Sequence, residues 1–199
     1  MNKDINKQRR VLLAVSIAAV LPLMSACATR IKASTSHNPA PSEAFSSYGR
    51  IVLKPVAFAP GYKGDPGALA KIAGNLDKNL GASVQQWNRA RDNGRTLTIE
   101  PIVEEMSFKS STKRVFLGPL AGSSGVLLRV SFRDQSGKVI ATPEFFQRAS
   151  AMSGGFTLGA QDNLMLTRVS KLASDYIIAN YSKAVGGPTG ADAAAIAAN

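Results

Sequence analysis

The spacing of apolar positions changes several times along this chain, and each change marks an expected element. Residues 11–24 (VLLAVSIAAVLPLM) are almost continuously apolar, interrupted by Ser16 and Pro22. Residues 28–48 (ATRIKASTSHNPAPSEAFSSY) are rich in Ser, Ala, Thr and Pro and have no apolar period, which reads as a flexible tether. Such a tether would span roughly 25 Å on average and about 70 Å at most, enough to hold a folded part clear of a surface. Residues 50–58 (RIVLKPVAF) read as a first strand carrying Ile51, Leu53 and Val56, with Pro55 pointing to a sheet edge or a bulge. Asp65-Pro66 has the form of an N-cap followed by proline at the first helical position. Leu69, Ile72, Leu76, Leu80, Val84 and Trp87 follow at spacings of three or four. They predict one amphipathic helix over residues 66–91, ended by Asn93-Gly94, with Trp87 in the core.

Residues 96–108 (TLTIEPIVEEMSF) read as a second strand whose alternation slips at Pro101, where a bulge is expected. A loop over residues 109–125 leads to a third strand over 126–134. The turn Asp134-Gln135-Ser136-Gly137 joins it to a fourth over 138–149. After a second glycine-rich stretch, Asp162 is placed to cap a last helix carrying Leu166, Val169, Leu172, Ala173, Tyr176 and Ile177. The Gly- and Ala-rich tail, residues 184–199, has little to bury and is expected to be disordered. The order β-α-β-β-β-α predicts an α+β fold. It would be a two-layer sandwich in which two amphipathic helices pack a mainly antiparallel four-stranded sheet, as one domain over residues 49–183.

Composition narrows the chemistry. Hydrophobic residues make up 45% of the 199, so a core can be buried. A single Cys excludes an internal disulfide framework and any multi-cysteine zinc site. His37 is the only histidine, and it lies in the unpatterned stretch where nothing is expected to hold it for a catalytic triad or a metal. The net charge is +11. Lys3, Lys7, Arg9 and Arg10 against Asp4 place +3 of it in the first 26 residues, leaving +8 beyond them. A basic excess suits anionic headgroups, polyanionic polymers or acidic proteins.

The first 27 residues have the order of an export signal: a basic start, an apolar run too short to span a bilayer comfortably, and small residues before Cys27. Leu23-Met24-Ser25-Ala26-Cys27 resembles the bacterial lipobox, in which Leu and two small residues precede the cysteine. Met24 stands where Leu is commonest, a tolerated departure. The resemblance implies that residues 1–26 are a signal peptide, that Leu23, Met24, Ser25 and Ala26 are read by the signal peptidase, and that Cys27 is cleaved before and lipidated. More than one acyl chain on a residue gives stable anchoring. Ala28 rather than Asp after the cysteine implies sorting to the outer membrane; the domain is expected, separately, to face the periplasm.

A second resemblance covers residues 51–181. It rests on a strand such as residues 97–108, a basic glycine-rich segment (Arg114-Val115-Phe116-Leu117-Gly118), an Asp-x-x-Gly-Lys hairpin (Asp134, Gly137, Lys138) and a closing amphipathic helix. Together these are similar to a group of proteobacterial outer-membrane lipoproteins carrying a domain of unknown function, which supplies no catalytic residues. The segment GPLAGSSG (residues 118–125) lacks the Gly-Lys-Ser/Thr ending of a phosphate loop and precedes a strand, so neither a nucleotide nor another cofactor is expected. It also lacks a nucleophile elbow, leaving Ser123 and Ser124 without a catalytic role. Glu104 and Glu105 are adjacent on a strand and expected on opposite faces, which rules them out as an acid–base pair. Lys109, Lys113 and Arg114 with Phe116 form the densest basic group and are the candidate partner contact. No metal and no nucleic acid is expected. The sequence reads as a non-enzymatic, membrane-anchored envelope lipoprotein serving as a protein-interaction or assembly module. A binder of anionic polymer or lipid headgroups is the alternative.

Overall fold

A computed structural model describes residues 31–89, 92–108, 124–149 and 160–191. In chain order the elements are β1 (His37–Asn38), a 3-10 turn (Phe45–Ser47), β2 (Arg50–Leu53), β3 (Ala57–Phe58), helix α1 (Pro66–Trp87), β4 (Thr96–Ser107), β5 (Ser124–Asp134), β6 (Val139–Ala141), β7 (Glu144–Ala149), helix α2 (Ala160–Ser182) and β8 (Gly187–Pro188). The architecture is α+β, two helices on one sheet. That sheet has six strands and is mixed, where four mainly antiparallel strands were expected. The helical crossover after β3 makes β2 and β3 run parallel to β4, while β4, β5, β6 and β7 form the antiparallel part.

Prolines account for the extra strands. Pro55 divides the expected first strand into β2 and β3, and Pro143 divides the expected fourth into β6 and β7. Pro101 sits inside central strand β4 without disturbing its register, since the shift lies instead between Val103 and Glu105. Its tolerance has a local reason. The Val130 N–H bonds Pro143 O on the other side of β5, so the Pro101–Val130 pair exchanges no hydrogen bonds. The nitrogen of Pro101 therefore faces the gap between β2 and β3, where no ladder partner is needed.

The Asp65 carboxylate accepts from Ala68 N at 2.8 Å and Pro66 opens α1, as the sequence predicts. The helix stops at Trp87, short of Asn93-Gly94, because Asn88 leaves it to bind the edge strand: its amide donates to Ile51 O and accepts from Ile51 N at 2.8 and 2.7 Å. Helix α2 begins at Ala160, which puts Asp162 in the first turn rather than at the cap, still favourably placed on the helix dipole. The two helices press Ile72, Leu76, Leu80, Val169, Tyr176 and Ile177 onto the inner sheet face, where Leu97, Ile99, Val103, Leu128, Val130 and Phe132 are buried. Trp87 is only half-buried, stacked on Tyr181 at 4.2 Å. The turn after β5 is as expected. Asp134 accepts from Ser136 and Lys138, and Gly137 takes φ +86.

Residues 31–48 and 184–191 depart most from expectation. The first was read as a tether and the second as part of a disordered tail, yet both are packed. Phe45 is fully buried, stacked on Phe132 with centroids 4.6 Å apart. Ile31 and Ala33 are buried with Phe146. His37, read as held by nothing, lies on β1, which pairs with β8. Thr189 is fully buried, accepting from Phe146 N and donating to Thr35 O. Asn180 ties the tail back by accepting from Val185 and Gly186 N and donating to Tyr176 and Gly186 O. The physical gain is the closing of edge strand β7, whose unpaired backbone would otherwise face solvent. The domain therefore extends over residues 31–191 among those described, wider than 49–183.

Candidate functional site

Cys27 and the residues before it, Leu23, Met24, Ser25 and Ala26, lie outside the described residues. So do Lys109, Lys113, Arg114 and Phe116. What the structure fixes is where those segments join the fold. Register places Ser107 opposite Gly125 and Ser124 opposite Ala149, so the first glycine-rich stretch leaves and rejoins the sheet at the same end at which the second leaves it for α2. The first turns of α1 and α2 meet at that same end around a cavity of about 180 Å³, lined by Asp65, Lys71, Phe108, Asp162, Asn163 and Leu166. Of its carboxylates, Asp65 accepts from Ala68 N as the cap of α1. A second hollow of about 200 Å³ lies in the β2–β3 gap, walled by Leu53, Pro55, Val56 and Pro101 with Lys54 and Asp77 at its rim. Among the described residues no group of three His, Cys, Asp or Glu side chains is placed to hold a metal.

The outer sheet face, away from the helices, carries the charge. Arg129 bridges two strands, its Nε 3.2 Å from Glu104 and its Nη2 3.0 Å from Glu144. Glu144 also accepts from Ser34 N and Oγ at 2.9 and 2.8 Å, so the ion network reaches the N-terminal segment. Arg133 stands 4.0 Å from Glu100. The shift between Val103 and Glu105 corrects the expectation for the two adjacent glutamates. Glu104 meets Arg129, and Glu105 is exposed opposite Leu127, so both lie on the outer side. Arg148 stacks over Phe146 at 5.7 Å. The polar alternation of β4 and β5 marks this face in the sequence, but its pairings span distant segments and were not legible.

Beside the start of β4 a second cluster ties the N-terminal segment to the sheet, at the edge of the core to which Tyr48 belongs. Arg95 Nη2 donates to Glu43 at 2.8 Å and its guanidinium lies 4.4 Å over the Tyr48 ring, while the Tyr48 hydroxyl donates to Glu43 at 2.8 Å. The hydrogen bond from Arg95 holds the Glu43 carboxyl below its ordinary value. Burial, together with the carboxylate it faces, pushes the Tyr48 hydroxyl well up.

At the described end of the chain, Ile31 is buried on the outer face against Phe146 and Leu127, with Ala191 packed beside them. Three residues separate it from Cys27. Among the described residues no helix is long and apolar enough to cross a membrane.

No family model and no curated protein matches the chain. Among solved structures it is similar to two PelC dodecamers from Paraburkholderia phytofirmans. One, a single-substitution variant, is 17% identical at a TM-score of 0.42, with 69% of this chain and 93% of that chain covered. The other is 18% identical at a TM-score of 0.40, with 67% and 91% covered.

Proposed function

We propose that this protein is a lipid-anchored component of the bacterial cell envelope, held on the outer membrane through Cys27 and serving as a non-enzymatic interaction or assembly module that faces the periplasm. The observation that carries the reading is the basic start, short apolar run and Leu23-Met24-Ser25-Ala26-Cys27 taken together. Several features favour a binding role over catalysis. The sole histidine is exposed on a short strand, Asp65 is committed to a helix cap, and Arg129 is neutralised by two glutamates. The sequence pattern of residues 51–181, read above as resembling proteobacterial lipoproteins with a domain of unknown function, supports the same reading.

The experiment is Cys27→Ser with membrane fractionation and intact-mass measurement. The wild-type chain is expected in the membrane fraction, lacking residues 1–26 and carrying acyl mass. The variant is expected to keep its leader and lose the added mass. Identical mass and fractionation of the two proteins would overturn the reading. Crosslinking in intact cells tests the interaction role, where a specific protein is expected to remain attached through moderate salt. Recovery of anionic polymer alone, released as salt rises, would replace it with a polymer-binding role.

A further inference from the structure

The sequence alone suggests a long tether that lets the domain stand clear of the membrane. The fold removes most of it. Ile31 is 2% exposed and already part of the domain. From Cys27 to Ile31 the chain takes four Cα steps, at most about 14 Å when fully extended. The surface around Ile31 therefore cannot lie farther than that from the cysteine, whatever path the chain follows.

Resting on the lipid-anchor reading, we infer that the domain is seated directly on phospholipid headgroups by the part of its outer sheet face around Ile31, Leu127 and Phe146. The helical layer then points away from the membrane, since α1 and α2 cover the opposite sheet face. The strand register extends the seated surface to Glu105, which lies opposite Leu127. Beyond the leash itself, residues 31–38 are fastened along β7 by Ser34 and Asn38 to Glu144, so the short connection ends on a fixed point of the fold.

Charge is not what seats it. Among the described residues the face carries Lys32, Arg50, Arg129, Arg133 and Arg148 together with Glu100, Glu104, Glu105 and Glu144. Arg129 is bound to two of those carboxylates. A near-even balance of this kind has little net attraction for anionic lipid. The contact is imposed by the length of the connection and so is independent of headgroup charge.

The test uses protein extracted from membranes with its acyl mass on Cys27 verified, which leaves an engineered cysteine as the single free thiol. Glu105→Cys and Lys171→Cys are each labelled with a fluorophore. The proteins are placed in vesicles of phosphatidylethanolamine and phosphatidylglycerol containing a headgroup-nitroxide lipid. Lys171 is exposed on α2, in the opposite layer. Several-fold stronger quenching is expected at position 105 than at 171. The contrast is expected to persist when phosphatidylcholine replaces phosphatidylglycerol. It is expected to disappear when a Gly-Ser insert of about 20 residues, spanning roughly 25 Å, is placed after Ala28. Equal quenching at the two positions overturns the inference. So does a contrast that needs anionic lipid or survives the insert. Missing acyl mass on Cys27 overturns it at its root by removing the anchor, whereas intact acyl mass with equal quenching removes the seating alone.

Discussion

The sheet–helix body and the terminal segments are built by different physics. In the body, neighbouring residues announce their structure. The α1 stripe repeats every three or four positions, β4 and β5 alternate, and burial of those faces holds the layers together. In residues 31–48 and 184–191 there is no such period. Their order comes from isolated apolar anchors, Ile31, Phe45 and Tyr48, together with side chains clamping backbone across the chain: Ser34 and Asn38 to Glu144, Tyr176 to Pro39, Thr189 to Thr35. Low-complexity composition thus does not equal disorder where polar side chains can seal a sheet edge.

The sharpest way to break this comparison is at Phe45, an aromatic in the segment that reads as tether. Phe45→Ala removes the stack on Phe132 from a fully buried site and is expected to cost about 3–5 kcal/mol, as a core aromatic does. Chemical denaturation measures it. A loose tether would show no change in midpoint.

Asn180→Ala comes next. It takes away both acceptors and donors that hold residues 184–186 on the end of α2, stranding the buried Gly186 N–H. A loss of about 3 kcal/mol is expected from backbone groups left unpaired. Amide exchange should speed at Phe146 as β7 loses its cover, while the amides linking β4 to β5 keep their relative protection.

Gly190→Ala tests the same seal by sterics. Gly190 takes φ +86, and an added Cβ would sit 2.4 Å from Phe146 O. The strained backbone alone is worth about 2 kcal/mol. The expected signature is a lower thermal midpoint with unchanged far-ultraviolet circular dichroism, since the main sheet and helices stay formed.

What could be read from sequence follows the range of the interactions. The Asp65 cap, the Gly137 turn and both helices depend on residues within a few positions, and each was legible. The shift between Val103 and Glu105 was not, because it is set by what β5 presents across the ladder, and Pro101 drew the expectation instead. The division of two expected strands by Pro55 and Pro143 was only half legible: proline signalled a boundary but not that both pieces stay in the sheet. The lipobox-like pattern before Cys27, on which the proposed anchor rests, is local and readable. The face on which its connection ends is not, since Ile31 meets Phe146 and Leu127 only after the whole sheet has formed.

The smallest expected effect lies at Glu43, where the segment read as tether carries a charge bound to the sheet. Arg95 is the main cause of its lowered pKa, so the folded state binds a proton less readily than the unfolded chain. A carboxyl depressed in this way adds stability above its ordinary value of 4.5 and loses it as pH falls through the lower folded value. Glu43→Gln keeps the shape but removes the ionisation. Solvent screens much of the pair, whose side chains are 39% and 27% exposed, so a fall in Tm of only about 1–3 °C is expected at neutral pH. The difference from wild type should shrink below pH 4.5 as Glu43 protonates. A difference that stays constant across the acid range would show that Glu43 acts through packing on Tyr48 rather than through its charge. An unaltered Tm at neutral pH would mean that this corner is held by Phe45, Tyr48 and the backbone contacts of Ser42 and Ser47, without help from the Glu43 charge.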